Sequence, residues 1–362
     1  MDSKHKAYIG LGSNLGDRAD HIDKALTLLA ESKGVTVREV SSIIESAALS
    51  GAEQGDYLNT VAELDTFLSV EELYEIISGV ESALGRKRGE KWAARTIDMD
   101  LLLFGDEVID YPNLKIPHRQ MHLRSFVLNG LCELNSRLKH PVFKVTVEEL
   151  AQRLNGSSFV IDGERAQLVS VAGVIGVGKT TLIQKLSEQF DCKLLFESYD
   201  SNPFMPEVYA GRAELALDSQ LYFLTSRLRQ LKPDALEKGK IAFTDYVFAK
   251  ELIYARRLLD ARQLALYEQM HERVLSMVAE PVLVVYLIDS ESNCLKRIHR
   301  RNRPYEQRIK LEFLEKLGDD YEKVFSGWKS SPVIRISKSQ FDCNNDSDVQ
   351  ALVKQIESYI AK

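Results

Sequence analysis

The sequence predicts an α/β protein of two domains, an α+β sandwich followed by a parallel sheet flanked by helices. Three observations lead to this prediction. The chain has 362 residues, which is more than one domain of ordinary size. In its first part, β-prone and amphipathic segments follow one another in the order β-α-β-β-α-β. Near its middle, a glycine-rich loop motif lies between a short apolar segment and a helical one, which indicates the start of a second domain.

The composition argues against several classes of protein. Hydrophobic residues make up 44% of the chain, charged residues 28%, and the net charge is −6, so no overall basic field favours nucleic acid. The four cysteines are far apart and form no CxxC pair, which argues against a zinc site or a disulfide framework. We expect neither a signal peptide nor a membrane-spanning segment, and therefore a cytoplasmic protein with no membrane or nucleic-acid partner.

The sandwich follows from the first half of the chain. A strand at residues 7–12 leads through a turn into a helix at 18–32. A second helix, at 69–84, opens with a serine N-cap and two acidic residues in its first turn. The other elements are strands at 35–45, 57–64 and 96–104 and a helix from 126 onwards. This order is the one found in ferredoxin-like sandwiches.

A basic segment followed by two aspartates carries the chemistry of this half. Because side chains alternate along a strand, Asp98 and Asp100 project from the same face, where two carboxylates suit one or two Mg²⁺ ions. Arginine binds phosphate oxygens through paired N–H groups. The basic residues before the aspartates are Arg86, Arg88, Lys91 and Arg95. Alone, this pattern would more often be a solvated loop beside an exposed strand, but its surroundings favour a polyphosphate-transfer site.

Those surroundings are motifs dispersed in a fixed order. They are Tyr8-Ile-Gly-Leu-Gly-Ser-Asn-Leu-Gly, Asp56-Tyr-Leu-Asn59, Glu81 ahead of Gly85-Arg86, Arg95-Thr-Ile-Asp-Met-Asp-Leu-Leu-Leu-Phe-Gly105, Ile116-Pro-His118 and Arg124-Ser-Phe126. With them, about the first 155 residues resemble the 6-hydroxymethyl-7,8-dihydropterin pyrophosphokinase family. The resemblance implies transfer of diphosphate from ATP to hydroxymethyldihydropterin, a step of folate biosynthesis.

The resemblance also implies roles for particular residues. Two Mg²⁺ ions would be held by Asp98 and Asp100. ATP and the transferred phosphates would be bound by Arg86, Arg95 and His118, the two arginines acting in catalysis. The pterin pocket would be formed by Tyr57, Asn59 and Phe126.

Two loops depart from the family pattern. The chain has Ser46-Ala47-Ala48 where the family commonly has a proline-containing run, and Ala93-Ala94 where it commonly has Gly-Pro. Since proline fixes backbone geometry, its loss should loosen loops that close over the substrate. The charged residues are retained, so we expect an active enzyme. The alternative is a pterin-binding regulatory domain of low activity.

The motif in the middle of the chain is Gly173-Val-Ile-Gly-Val-Gly-Lys179-Thr180, which fits the pattern G-x-x-x-x-G-K-[ST] of a phosphate-binding loop, or P-loop. Its glycines, Gly173, Gly176 and Gly178, allow a tight turn with inward N–H groups, and the helix start adds positive potential. Lys179 would bind the β- and γ-phosphates of ATP, and the Thr180 hydroxyl would bind Mg²⁺. The flanking strand and helix favour a P-loop kinase domain over a chance match.

Apolar runs after the loop predict a parallel sheet flanked by helices. Strands are predicted at residues 168–172, 193–197, 241–245, 282–288 and 333–336, and helices at 181–190, 215–231, 249–278 and 346–362. Two of the strands end in an acidic residue, Glu197 and Asp245, at the edge where parallel sheets bind ligands.

An arginine-rich segment follows the fourth of these strands. Arg297, Arg300 and Arg301 are spaced to line one helix face, and Arg303 follows them. Alone, such a segment is more often a solvated basic surface. Beside a P-loop it indicates a lid that brings guanidinium groups onto the transferring phosphates.

Further motifs in this half are Phe196-Glu-Ser followed by Asn202-Pro, Tyr209 ahead of Gln220, Ser226-Arg-Leu-Arg229 and Tyr305-Glu-Gln-Arg308. With the P-loop, they make the chain from about residue 168 onwards similar to the deoxynucleoside kinase family, most of all to bacterial purine deoxynucleoside kinases. The resemblance implies that Glu197 is the general base for the 5′-hydroxyl of a deoxynucleoside. It places the 3′-hydroxyl at Tyr209 and Glu306, the base at Gln220 with Arg227 beside it, and the phosphates at Arg297, Arg301 and Arg303.

One departure concerns the end of the third strand. The family has an acid followed by arginine and serine, whereas this chain has Asp245-Tyr246. Asp245 would be the catalytic acid near Mg²⁺, but a positive charge is missing at Tyr246, and another arginine would have to replace it. Because a glutamine amide both donates and accepts on one edge of adenine, Gln220 favours deoxyadenosine. Another deoxynucleoside, or a different small-molecule or nucleotide substrate, is the alternative.

The prediction is therefore a fusion of two enzymes. The first domain is expected at residues 1–158 and the second at 166–362, with the boundary near Arg165. Both would use ATP and Mg²⁺. Since deoxynucleoside kinases are usually dimeric through long helices, the resemblance implies a homodimer through the second domain.

Overall fold

A computed structural model of the chain describes residues 4–49, 54–86 and 94–361. The chain divides into two compact units, with the division after Val160. Within the described ranges, none of the helices combines the length and apolar character needed to cross a membrane. Each unit is described by itself below.

The first unit is a sheet of antiparallel strands with helices on both faces. Its elements are β1 (His5–Ser13), α1 (Arg18–Glu31), β2 (Val35–Val40), β3 (Ile44–Ser46), β4 (Tyr57–Thr66), α2 (Val70–Ala83), β5 (Asp98–Phe104), β6 (Ile109–Asp110), β7 (Lys115–Ile116), α3 (Ser125–Asn135) and α4 (Val147–Leu154). The main strands lie in the order β2-β4-β1-β5, and β3 extends the pairing of β4. This is the predicted fold class, with α3 and α4 as an additional layer.

Because side chains alternate along the strands, the two faces of the sheet pack against different helices. Ile9 and Leu11 of β1 pack with the apolar faces of α1 and α2. Tyr8 of β1 and Leu102 of β5 point the other way and pack with α3 and α4. Since both faces are covered, the site residues must lie at the end of the sheet or on the part of a face that the helices leave open.

The predicted strand at residues 35–45 is wrong in its continuity, because the structure breaks it between β2 and β3. The Ser42 backbone N–H and hydroxyl donate to the carboxylate of Glu133 on α3, at 3.0 and 2.8 Å, instead of to a neighbouring strand. The helix can approach because of Gly130, where a Cβ would lie 2.6 Å from the Val61 side chain. A long-range contact therefore interrupts a locally favourable strand.

The second unit is a parallel five-stranded sheet between helices. Its elements are β8 (Gln167–Ala172), α5 (Lys179–Ser187), β9 (Cys192–Leu195), α6 (Met205–Tyr209), α7 (Ala216–Leu231), β10 (Ile241–Thr244), α8 (Lys250–Leu258), α9 (Ala261–Leu275), β11 (Leu283–Ile288), α10 (Glu291–Arg301), α11 (Leu311–Ser326), β12 (Val333–Ser337) and α12 (Asp346–Tyr359). The strand order is β12-β11-β8-β10-β9, with β8 in the centre. The carboxyl ends of β8, β9 and β10 therefore meet at one edge.

The stretch at residues 249–278, predicted to be mostly helical, forms two helices, α8 and α9. Leu259 adopts an extended backbone, and Asp260 caps α9 in a capping box with Gln263. Lys250 and Tyr254, in the first turns of α8, line the cavity of the second unit.

Candidate active sites

The P-loop connects β8 to α5, as the motif requires. Gly173 and Gly176 have backbone φ angles of 135° and 80°. A Cβ at either position would lie 2.5 or 2.6 Å from a backbone oxygen, that of Leu287 or Cys294 respectively. Only glycine fits this packing, because any side chain would both clash and strain the backbone.

Lys179 and Thr180 begin α5 at the edge of the sheet. The Lys179 ammonium donates to the Gly173 and Val174 carbonyl oxygens at 2.9 and 3.0 Å. Burial, and then the nearby Lys250, lower the pKa of Lys179 to about 7. A bound triphosphate would restore its charge, since an anion favours the protonated form.

Asp245 joins the P-loop to the neighbouring strand end. Its carboxylate accepts a hydrogen bond from the Thr180 hydroxyl at 2.6 Å and another from the Glu197 backbone N–H at 2.9 Å. The hydroxyl and the carboxylate are oxygen ligands of the kind that Mg²⁺ prefers beside substrate phosphates. The structure thus brings the predicted catalytic acid to the predicted metal ligand.

A narrow cavity with an empty volume of about 470 Å³ opens beside this edge. Five residues predicted to bind the deoxynucleoside or activate its hydroxyl line it, namely Glu197, Tyr209, Gln220, Arg227 and Glu306. Burial, and then the Glu306 carboxylate, raise the pKa of Tyr209, which places these two partners of the expected 3′-hydroxyl near each other.

A buried charge network surrounds Glu197. Its carboxylate is ion-paired with Arg227 of α7 and with Lys250 of α8. Arg227 also pairs with Glu251, whose second oxygen accepts a hydrogen bond from Tyr267. Each carboxylate therefore has several partners, as buried charges require.

Sequence reasoning missed three residues of this cavity, Lys250, Tyr199 and Tyr254. Lys250 donates to the Tyr199 hydroxyl at 2.9 Å, and its ammonium lies 4.7 Å from the centre of the Tyr254 ring. The Tyr254 hydroxyl is buried without a hydrogen-bond partner. For Lys250 and Tyr254 the local signal was their position in the first turns of a helix that follows a strand-end acid, and Tyr199 lies in the loop after β9.

The three lid arginines do not converge on one point. Arg297 donates to the Gly176 carbonyl oxygen at 2.6 Å and pairs with Asp289. Arg301 makes two hydrogen bonds of 2.5 Å to Glu306. Arg303 lies beyond the end of α10, 3.6 Å from the Glu306 carboxylate. The lid thus contacts both the P-loop and the nucleoside cavity.

In the first unit, the two aspartates of β5 are each held by cations. The Asp98 carboxylate lies 2.9 Å from the Arg86 and 2.7 Å from the Arg95 guanidinium. The Asp100 carboxylate lies 2.7 Å from Arg124 and 3.7 Å from His118 Nε2. Both side chains are partly exposed on the face that also carries α3.

Further hydrogen bonds and ion pairs hold the residues around Asp98 in place. Glu81 of α2 accepts a hydrogen bond from the Met99 backbone N–H at 2.7 Å and pairs with Arg86. Asn14 accepts from the Arg95 backbone N–H at 2.8 Å. Burial lowers the pKa of His118 against the opposing effect of Asp100, so its imidazole favours the neutral form.

The pterin residues share this face in part. Tyr57 and Asn59 lie on β4, and Gly12 of β1 is in register with both Asn59 and Asp98, so no side chain stands between them. Burial, and then the Asp98 carboxylate, raise the pKa of Tyr57, as expected for close neighbours. Phe126 is half-buried on α3 and packs against the hydrophobic core beneath it. Sequence reasoning did not assign Gly12 to the site.

Metal binding can be tested against the donor sets. Across the described ranges no group of three or more His, Cys, Asp or Glu side chains could hold a metal by itself. Mg²⁺ commonly uses one or two carboxylates and completes its shell with water and substrate phosphates. Asp98 and Asp100 at one site, and Thr180 with Asp245 at the other, fit that mode. Arg88 and Lys91 lie outside the described residues.

Carboxylates for Mg²⁺ beside cations for phosphate, in each of two units, define a class of ATP-dependent phosphate transferases. The family model for 7,8-dihydro-6-hydroxymethylpterin-pyrophosphokinase matches residues 8–136, and the model for deoxynucleoside kinase matches residues 169–361. The chain belongs to both families, to the first through its N-terminal part and to the second through its C-terminal part. Kinases of these families are ATP-dependent and typically use Mg²⁺.

Individual relatives are similar to one part each. The 2-amino-4-hydroxy-6-hydroxymethyldihydropteridine pyrophosphokinase of Bacillus subtilis is 43% identical over 128 residues, which are 35% of this chain and 77% of the relative. The deoxyguanosine kinase of the same organism is 32% identical over 160 residues, 43% of this chain and 77% of the relative. A solved deoxyadenosine kinase from M. mycoides with bound dATP is 22% identical, with 52% and 99% of the two chains covered and a TM-score of 0.47.

Proposed function

We propose that the chain is a bifunctional transferase. Its first domain transfers diphosphate from ATP to 6-hydroxymethyl-7,8-dihydropterin, and its second phosphorylates the 5′-hydroxyl of a deoxynucleoside, with deoxyadenosine as the preferred substrate. We assign these activities to residues 1–158 and 166–362, and the division of the compact units after Val160 supports those limits. The free state of all four cysteines supports a cytoplasmic location.

The observation that carries the second activity is the cavity beside the P-loop. Glu197 lines this cavity and takes the proton from the 5′-hydroxyl as that oxygen attacks the γ-phosphorus and ADP leaves. Lys179, together with the lid arginines, neutralises phosphate charge, and Tyr209 and Glu306 hold the 3′-hydroxyl. Mg²⁺, when bound at Thr180 and Asp245, neutralises charge on the phosphates.

The base preference is argued from Gln220. This side chain is 3% exposed and lines the cavity, so its amide can bind one edge of a purine. Donor and acceptor on one amide suit adenine, which makes deoxyadenosine the first candidate. The Bacillus subtilis relative is named a deoxyguanosine kinase, which makes deoxyguanosine the second.

The first activity is carried by the two aspartates and their cations. Asp98 and Asp100 would hold Mg²⁺, which would neutralise charge on the triphosphate. Arg86, Arg95 and His118 bind the phosphates, and Tyr57, Asn59 and Phe126 bind the pterin. Asn59 donates a hydrogen bond of 2.9 Å to the Ser46 hydroxyl at the end of β3, where the run that lacks the family's prolines begins.

We further propose that the second domain dimerises through α9. Leu266 and Met270 are 51% and 38% exposed and lie one helical turn apart. Neighbouring exposed apolar side chains on a long helix are typical of a helix-to-helix interface.

One panel of substrates tests the proposal. The four deoxynucleosides and hydroxymethyldihydropterin are each incubated with the full chain, ATP and Mg²⁺, and ADP and AMP are measured separately. We expect ADP with deoxyadenosine, or with deoxyguanosine as the second candidate, and AMP with the pterin. Pterin binding without AMP would indicate the regulatory alternative, and ADP formed only with nucleoside monophosphates would contradict the nucleoside assignment.

A further inference from the structure

The residue after Asp245 carries no positive charge in this chain. The deoxynucleoside kinase resemblance places an arginine there, and this chain has Tyr246. Tyr246 is 1% exposed, and its hydroxyl donates a hydrogen bond to the Gln230 side chain at 2.5 Å. Tyr246 therefore packs inside the unit. Arg227 lies over the Tyr246 ring, 5.4 Å from its centre, and is shared between Glu197 and Glu251.

Lys250, four residues after Tyr246, is a basic residue that lies beside Glu197. It is the first residue of α8 and 2% exposed. Its ammonium is ion-paired with Glu197 and donates to the Tyr199 hydroxyl at 2.9 Å. The rings of Tyr199 and Tyr254 lie 5.1 and 4.7 Å away and hold it from two sides.

The surroundings of Lys250 connect the two substrates. It lines the cavity together with Ile175 of the P-loop and Glu197. It also lies close enough to Lys179 to help lower the pKa of that lysine. The charged and titratable groups around it, from every adjoining element, are Lys179, Glu197, Tyr199, Arg227, Asp245, Glu251, Tyr254 and Arg301.

We propose that Lys250 is the positioning residue for Glu197, and that it supplies the positive charge that Tyr246 lacks. This inference rests on the proposed nucleoside kinase function. The ammonium holds the carboxylate in its orientation until the 5′-hydroxyl arrives. The hydroxyl proton then passes to Glu197, a bond forms from O5′ to the γ-phosphorus, the bond from that phosphorus to the β,γ-bridging oxygen breaks, and ADP leaves. Glu197 returns its proton to water.

A lysine suits this role because its charge is compact and its stem is flexible. Because Lys250 acts on the group that takes the proton, its removal should lower kcat far more than it changes KM, and arginine should restore activity. A purely structural lysine would produce neither that split between kcat and KM nor that rescue.

The test compares Lys250→Met, Lys250→Arg and the exposed-surface control Lys185→Met in the full chain. We expect Lys250→Met to lower kcat for the deoxynucleoside about 100-fold with a small change in KM. Lys250→Arg should stay within about tenfold of the wild-type chain, because it restores the charge. Lys185→Met should match the wild type. AMP formation by the first domain, measured on the same samples, reports intact protein.

Several results would overturn the inference. One is Lys250→Met with unchanged kcat, and another is a loss of activity that arginine does not rescue. If Lys250→Met fails to fold, Lys250→Arg decides: a folded variant with kcat reduced more than about 100-fold contradicts the role. A wild-type chain that forms no ADP with any deoxynucleoside defeats the proposed function itself, which is a different outcome.

Discussion

Gly12 shows how a single residue can shape the first site by lacking a side chain. It lies between Asn59 on β4 and Asp98 on β5, in register with both. A Cβ there would stand 3.0 Å from the Asn59 side-chain oxygen. The space above β1 between Asn59 and Asp98 is therefore open because residue 12 is glycine. The Gly12 backbone itself is extended and unstrained.

Gly12→Ala should accordingly raise the KM for hydroxymethyldihydropterin about tenfold, because the new methyl group displaces the Asn59 amide. The matched control is Gly79→Ala on α2, where an added Cβ would meet nothing within 4 Å. Steady-state AMP formation measures the effect, and ADP formation by the second domain should stay constant. An unchanged pterin KM in Gly12→Ala would show that the space above Gly12 is not part of the pterin site.

Tyr254 offers the corresponding prediction in the second site. Its hydroxyl is buried at the cavity wall, where none of the described residues hydrogen-bonds to it, and a polar substrate group can supply the partner. Tyr254→Phe should leave the thermal unfolding temperature unchanged or raise it, and should raise the deoxynucleoside KM about tenfold. Equal KM values for the variant and the wild type would mean that the substrate leaves this hydroxyl unpaired.

At the scale of elements, local patterns predicted most of the architecture. Period-two and helical spacing predicted strands and helices whose centres agree with the structure, and the P-loop placed the start of the second sheet. The break between β2 and β3 could not be predicted, because Ser42 depends on Glu133, which lies 91 residues away in sequence. The break before α9 did have a local signal, since Asp260 and Gln263 form a capping box.

The sites divide in the same way. Lys179 and Asp98 could be proposed as site residues from local motifs, and Glu197 from the family resemblance. Lys250 could not, because its partner Glu197 is 53 residues distant and only the packing of α8 brings them together. Long-range ion pairs of this kind leave no periodic trace in a single sequence.

In the turn between α3 and α4, a buried histidine makes the stability of the first unit depend on pH. His140 is 3% exposed, stacks on Phe143 at a centroid distance of 4.0 Å, and accepts hydrogen bonds from the Val142 and Phe143 backbone N–H groups through Nδ1. Burial lowers the pKa of His140 to about 3. The fold therefore requires the neutral imidazole.

The direction of the pH effect follows from that shift. Above the ordinary histidine pKa of about 6.5 the imidazole is neutral in both states, so no stability is lost. Between about pH 6.5 and 3 only the unfolded chain takes up the proton, and stability falls by up to about 1.4 kcal/mol per pH unit. Denaturant unfolding of the first unit at pH 7 and pH 5 should show this fall in the wild type and a smaller one in His140→Gln. Equal pH dependence in both proteins would contradict the assignment.

At the scale of the whole molecule, two unrelated folds in one chain each present cations and carboxylates to a triphosphate. The first uses a pair of aspartates on an antiparallel strand, and the second uses a P-loop at the edge of a parallel sheet. Because the phosphate-binding residues are different, each activity should be removable without the other.

The most direct test of this account is a pair of substitutions in the full chain, Asp100→Asn and Lys179→Met, assayed with ATP, Mg²⁺, hydroxymethyldihydropterin and the preferred deoxynucleoside. Asp100→Asn should lower AMP formation at least about 100-fold and leave ADP formation unchanged, and Lys179→Met should do the reverse. If either substitution abolished both products in a folded chain, the claim of two independent ATP sites would be contradicted.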